Sequence, residues 1–523
     1  MTGNEAATEI AAGYATEGAA LELGAVVIDG ATDPGARVRI PFATLNRHGL
    51  VAGATGTGKT KTLQNLAEQC SAAGVPVMLA DVKGDLSGLA RAGEPGDRIT
   101  QRATETGDDW TPTAYPVRFL SLGASGIGVP VRATITAFGP ILLSKVLGLN
   151  ATQESTLGLI FHWADQQQLA LLDTKDLRSV IQHLLSDEGK AELKGIGGVS
   201  AATAGVILRA LVNLEARGGD EFFGEPEFDP ADLLAVSDGK GLVTLLELAD
   251  QQADPTLFST FLMWLLAELF EELPEAGDVD KPKLVFFFDE AHLLFADASK
   301  AFLDRIEQTV KLIRSKGVGV FFCTQLPTDI PNDVLSQLGA RVQHALRAFT
   351  PDDQKALTRT ARTYPRSEVY DIETSLTSLG TGEAIVTVLS ERGAPTPVAW
   401  TRLRAPRSLM AAIGEQAVTE SAKASPLWAR YGETVDRESA YERLAARTGA
   451  TAAPQTPPAA PVPPDQPPQA APPQAPPPAE DEGPGFIEKA MSNPVFKSFL
   501  RSAASAAGRE ITRGLFGTAR RRR

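Results

Sequence analysis

The 523-residue sequence predicts an α/β fold built on a mostly parallel sheet. Three observations carry that prediction. Short β-type runs recur at 75–81, 241–248, 284–289, 318–324 and 384–389, separated by segments with 3.6-residue periodicity. A glycine-rich loop stands between the short apolar run 48–52 and a helical segment at 61–73. The run Leu284-Val285-Phe286-Phe287-Phe288 is apolar at every position, as in a strand or helix segment buried on all sides. Strands interleaved with helices imply parallel pairing, with helices covering both faces of the sheet.

Residues 1–20 have neither a basic lead nor an apolar stretch, and are expected to be a flexible N-terminus without signal peptide or anchor. Residues 21–52 alternate β-like runs with the turn signals of IDGATDPGAR. Between about 140 and 235 the β signal gives way to a Leu/Ala/Gln-rich helical pattern, predicting a helical insertion in the α/β core of 21–410. The apolar stretch Leu257 to Phe270 is broken by Ser259, Thr260 and Glu268 and falls short of a membrane span, so no integral membrane association is expected. A helical extension is expected at 411–450.

Thirteen of the 36 prolines lie between Pro454 and Pro478, which makes 451–484 a Pro/Ala/Gln-rich disordered linker with little apolar surface to bury. Beyond it, 485–523 carries nine Lys/Arg against Glu488 and Glu510, with apolar residues at near-helical spacing, and reads as a basic amphipathic helix. Fifty Lys+Arg against 64 Asp+Glu give a net charge of −14, which disfavours a protein that coats nucleic acid over its whole surface but leaves room for a few gripping loops. The two cysteines, Cys70 and Cys323, are too few and too far apart for a disulfide framework, so a reducing, cytoplasmic setting is expected.

The loop reads Gly53-Ala54-Thr55-Gly56-Thr57-Gly58-Lys59-Thr60, a complete G-x-x-x-x-G-K-[ST] between strand and helix. Glycines let the backbone curl so that successive N–H groups and the helix N-terminus face the phosphates of ATP. Lys59 would sit on the β/γ oxygens and Thr60 on Mg²⁺. A second need is an acid at the end of a neighbouring buried strand. Asp289 supplies it as the metal acid, and Glu290 is the candidate base that polarises the attacking water. His292 either couples nucleotide state to movement or caps the next helix. A helix at 301–316 presents Phe302, Ile306, Val310 and Ile313 on one face and stops at Gly317. The following strand ends at Thr324 and delivers Gln325 to the phosphate edge, as a γ-phosphate sensor or as a turn residue before Pro327.

In order along the chain stand GATGTGKT, ADVKGDLSG at 80–88, LVFFFDEAH, RSKGVGVFFCTQLPTDIP at 314–331 and RVQHALRAFTP at 341–351. This series resembles the HerA/FtsK superfamily of P-loop ATPases, most closely the stand-alone HerA-like bacterial proteins of the YjgR type, over roughly 20–410 and the basic tail. The resemblance implies a RecA-like ASCE core, with ATP hydrolysed at the subunit interfaces of a ring-shaped homo-oligomer, usually a hexamer, that moves DNA as a helicase or translocase. It makes Gln325 the sensor glutamine and Arg314 the finger reaching a neighbour's site, with Arg341 as the competing finger. Asp81, Lys83 and Asp85 match a motif near the nucleotide in relatives. From spacing alone Arg314 serves equally as a helix C-terminal cation. A DNA motor is thus one reading. The other is a nucleotide-dependent assembly or switch ATPase that presents its basic tail to a protein partner.

Overall fold

The computed structural model describes residues 3–193, 195–248, 255–277, 279–296, 298–390 and 392–447. The expected linker at 451–484 and basic helix at 485–523 lie outside the described residues. The strands are β1 (Ala20–Ile28), β2 (Ala31–Pro41), β3 (Gly49–Ala52), β4 (Val77–Asp81), β5 (Val117–Leu122), β6 (Val129–Val131), β7 (Val236–Ser237), β8 (Lys240–Gly241), β9 (Val243–Glu247), β10 (Leu284–Phe288), β11 (Val318–Thr324), β12 (Ala340–Gln343), β13 (Glu383–Val388) and β14 (Ala399–Leu403).

Twelve of them form one sheet in the order β2-β1-β14-β13-β12-β3-β11-β10-β4-β9-β5-β6, and β7 and β8 make a separate hairpin. From β12 to β6 every pairing is parallel, while β13, β14, β1 and β2 add an antiparallel flank. Parallel strands buried on both faces read as unbroken apolar runs, and β10 shows why. Phe286 and Phe288 enter the core on one face of the sheet, while Val285 and Phe287 enter the core on the other. Phe288 stacks on Phe322 and Phe287 lies against Phe321 of β11, both with ring centroids 5.3 Å apart.

The N-terminal segment departs from expectation. Gly3–Ala12 is a helix, α1, with Ala6, Ala7 and Ile10 buried. Beyond it the Tyr14 hydroxyl donates to the carbonyls of Val386 (2.8 Å) and Pro397 (2.6 Å). Two alanines and one isoleucine give a weak hydrophobic signal, yet they suffice to seat a helix on β1 and β2.

Between β6 and β7 the chain is helical, with helices at Ile135–Val146, Ala151–Gln166, Thr174–Leu185, Asp187–Glu192, Ala201–Glu215 and Gly219–Phe222. Asn150 with Gln153, and Asp173 with Asp176, close capping boxes that satisfy N-terminal amides. The helices Glu415–Ala424, Trp428–Tyr431 and Ala440–Arg447 follow the sheet. Two hydroxyls tie them to the insertion and the segment after it: Ser439 donates to Asp176 (2.5 Å) and Tyr431 to Asp232 (2.6 Å). No described helix is long and apolar enough to cross a membrane.

Candidate functional site

The glycine-rich loop leaves β3 and is pinned on both sides. Gly53 N–H donates to Thr324 O (3.2 Å) at the end of β11, and Ala54 N–H to Ala345 O (2.8 Å) just past β12. Gly53 has φ 151°, and a Cβ there would lie 2.5 Å from the Cβ of His344, so this position excludes any larger residue. Gly58, at φ 111°, starts helix α2 (Lys59–Ala72) without a side-chain cap, which leaves its first N–H groups for an anion. Lys59 Nζ curls back over the loop and donates to Gly53 O (2.6 Å) and Ala54 O (3.2 Å), so the cation already stands over the loop. Thr60 is half-buried in the first turn of α2.

Strand order does the rest. Because β11 lies between β3 and β10, and β4 lies beyond β10, four chain segments reach the same carboxyl edge of the sheet: the loop, Gln325, Asp289–Glu290, and the turn after β4. Gln325 is exposed there, in a turn fixed by Asp329, which accepts from Thr324 Oγ1 (2.7 Å) and Leu326 N–H (3.0 Å). Asp289 accepts from Glu290 N–H (2.9 Å). Burial, and then the neighbouring Glu290 carboxylate, push the Asp289 carboxyl above its usual range, a state that a cation at this site would reverse. Glu290 has φ 48°, uncommon for a residue with a side chain, and marks a turn held in an unfavourable conformation. Its carboxylate lies 3.9 Å from Lys83 Nζ and 3.4 Å from His292 Nδ1. Lys83 is placed by Asp81, whose carboxylate accepts the N–H groups of Lys83 (3.2 Å), Asp85 (3.3 Å) and Leu86 (2.7 Å). Burial raises the Asp81 carboxyl to about 6.

A hydroxyl and a carboxylate, Thr60 and Asp289, are the hard oxygen donors that Mg²⁺ takes alongside substrate phosphates. Among the described residues no group of three or more His, Cys, Asp or Glu is placed to hold a metal ion.

The arginines separate. Arg314 is exposed at the amino end of β11, and seven residues at about 3.3 Å each place it roughly 20 Å from its own loop. Arg341 is also away from the loop, inside β12 opposite Leu50, with Nη1 on Thr363 Oγ1 (2.9 Å). Two residues that the sequence reading did not single out do reach it. Arg347 Nη2 donates to Thr55 O (3.2 Å), and buried His344 lies against Gly53 with Nε2 on Thr62 Oγ1 (2.9 Å). Their signal was the RVQHALRAFTP string, which names no role for either.

His344 and His48 are both held neutral, with pKa values pushed down to about 4 by burial and then by nearby Lys59 and Arg314 respectively. Released by unfolding, each takes a proton near 6.5, so below that pH the unfolded chain binds more protons. Their stabilisation is therefore full above pH ~6.5 and is lost as pH falls towards 4, of order 3 kcal/mol per histidine. The melting temperature is expected to fall between pH 7.5 and 5; a constant value would contradict this.

Beside α2 a cavity of ≈ 210 Å³ opens from Gly58 along Lys61, Thr62 and Asn65. Its far walls are Ile99 and Arg102 of helix α3 (Asp97–Thr106), Gly382, Leu403, Pro406 and Met410.

A family profile described as "Helicase HerA-like C-terminal" matches residues 27–523. No curated protein matches the sequence. Among solved structures, the chain is similar to the bacterial conjugative coupling protein TrwBdeltaN70 in its unbound monoclinic form, with 16% identity and a TM-score of 0.51 over 79% of this chain and 95% of that one. It is also similar to the plasmid coupling protein TrwB in complex with the non-hydrolysable ATP analogue ADPNP, with 17% identity and a TM-score of 0.50 over 76% and 98%. These likenesses show a common fold, the RecA-like P-loop architecture.

Proposed function

The chain belongs to the HerA-like helicase C-terminal family, and from that premise we propose that it is an ATP-hydrolysing, oligomeric motor of the HerA/FtsK type that translocates or remodels DNA in the cytoplasm. The observation that carries this reading is the alignment of the Lys59 loop, Gln325 and Asp289–Glu290 along one carboxyl edge of the sheet. Lys59 and the first amides of α2 hold the β- and γ-phosphates, and Thr60 with Asp289 hold Mg²⁺. When bound, that ion neutralises charge building between the β- and γ-phosphates. Glu290 takes a proton from water as the water oxygen bonds to the γ-phosphorus and the bond to the β-phosphate oxygen breaks, releasing ADP. Gln325 contacts the γ-phosphate and reports its loss. The TrwB structure with the ATP analogue ADPNP is in keeping with ATP as the ligand here.

The distance of Arg314 from its own loop makes it useful only to a neighbour, which fits a ring, hexameric by the family pattern. Residues 21–410 are the motor unit, and the tail at 485–523 is its contact to a protein partner or to the ring. With a net charge of −14, DNA is gripped by a few local cations rather than by the whole surface.

Arg314→Ala is expected to bind ATP normally and hydrolyse it about 10³-fold more slowly. Mixing it with Lys59→Ala should restore part of the activity, because an Arg314→Ala site that has a Lys59→Ala subunit as its neighbour meets an intact finger. Equilibrium binding and steady-state phosphate release of the two variants, alone and mixed, check this. Absence of recovery would reassign the role to Arg341 or to a residue acting within one subunit.

A further inference from the structure

We infer that Arg347 is a second cation on the phosphates, supplied by the same subunit: its guanidinium contacts the γ-phosphate of a nucleotide held on the loop Gly53–Thr60 and stabilises the charge that builds on its oxygens as the phosphoryl group is transferred to water. The inference rests on the phosphate-site reading above and adds a catalytic residue to it.

The sheet sets its place. β12 runs parallel to β3, and the pairing continues past both strands: His344 N–H donates to Ala52 O (2.7 Å), and Ala54 N–H to Ala345 O (2.8 Å). Leu346, next along, is buried, with its N–H on Leu376 O (2.9 Å). On the far side Asp353 accepts from the N–H groups of Phe349 (3.1 Å) and Thr350 (2.9 Å), at the start of the helix Pro351–Ala361. Arg347 therefore projects from a backbone fixed on both sides of it, and the residue is exposed.

Its contact shows which end of the nucleotide it serves. Lys59, the cation for the β/γ oxygens, donates to Gly53 O and Ala54 O; Arg347 Nη2 donates to Thr55 O (3.2 Å), the next carbonyl of the same loop. Consecutive Cα atoms are only about 3.8 Å apart, so both cations bear on the same end of a bound triphosphate. Thr55 O is a neutral acceptor, and among the described residues Arg347 makes no ion pair. Its positive charge is thus left without a carboxylate, and phosphate oxygens are the stronger acceptors. A guanidinium can keep one N–H on the carbonyl, which orients the fork, and turn another onto a γ-oxygen, a geometry that a lysine ammonium does not offer. Arg314, at the amino end of β11, has no such reach within one subunit. The two arginines therefore act from opposite sides, Arg347 on its own loop and Arg314 on a neighbour's.

The test is equilibrium titration of the full chain with ADP and with the non-hydrolysable analogue ADPNP, beside steady-state phosphate release from ATP. Arg347→Ala is expected to leave ADP affinity unchanged and to weaken ADPNP by roughly tenfold or more, as a charged hydrogen bond to the γ-phosphate is lost. Turnover should fall by about 10²–10³-fold, the usual cost of removing one donor from developing charge. Arg347→Lys, which keeps the charge without the fork, should recover part of both. Because the residue acts on its own loop, mixing Arg347→Ala with Lys59→Ala should restore nothing. Equal loss of ADP and ADPNP affinity would mean that Arg347 only braces the loop; unchanged ADPNP affinity and turnover, that it does not touch the phosphates; recovery on mixing, that it serves a neighbour. Each of these overturns the inference. If the wild type itself binds neither ADP nor ADPNP, the phosphate-site reading fails and takes this inference with it.

Discussion

Glu290→Gln is expected to keep ATP binding and lose turnover by roughly 10²–10⁴-fold, the usual contribution of a positioned general base. The amide copies the carboxylate in size, so the turn at φ 48° and the strand before it have no steric reason to change. What disappears is the ability to take a proton from water. The wild-type carboxylate is poised for that role by its surroundings: it is mostly buried, 3.9 Å from Lys83 and 3.4 Å from His292, with Oε2 making no hydrogen bond. Equilibrium titration with ATP beside steady-state phosphate release separates the two effects. Normal hydrolysis by the variant would remove Glu290 from the mechanism and leave Asp289 to be reconsidered.

Lys59→Ala should fail earlier, at binding. The ammonium is held over the loop by two carbonyls of that loop, Gly53 O at 2.6 Å and Ala54 O at 3.2 Å, and in the proposed mechanism it exchanges these for phosphate oxygens when a nucleotide arrives. Removing one partner of a desolvated charge pair costs about 2–5 kcal/mol, so ATP affinity is expected to fall roughly 10²-fold or more and turnover to vanish with it. The same titration reads the effect. Wild-type affinity in the variant would mean that the loop does not hold the triphosphate.

Much of this site could be read from the sequence because its parts are local. A glycine-rich loop between strand and helix, five apolar residues ending in Asp289-Glu290, and a strand ending at Gln325 each announce themselves within a few residues. The strand expected at 318–324 is β11 itself, and the helix stopped by Gly317 ends where its φ of 79° requires glycine. Other strands were hidden. β12 is four residues with Arg341 in its interior, and β14, Ala-Trp-Thr-Arg-Leu, alternates buried with half-buried positions, so neither shows an apolar run. Helix α1 buries alanines, whose small surface barely registers in a hydrophobic pattern. The cavity was the least legible feature. Arg102 meets Gly382 across 280 residues, and only the sheet order brings α3, the turn before β13 and the segment after β14 to the side of α2. Arg347 and His344 were hidden for the same reason: their meaning comes from the pairing of β12 with β3, which no local pattern encodes.

The proposed DNA-dependent ATP motor can be examined by steady-state ATP hydrolysis of the size-fractionated oligomer with Mg²⁺, with and without single- and double-stranded DNA, at two salt concentrations. Hydrolysis is expected only in the oligomer, stimulated by DNA, with the stimulation lost at the higher salt as phosphate contacts are screened. Hydrolysis of the same rate with and without DNA at both salts would contradict the motor reading and favour a switch ATPase that acts on a protein.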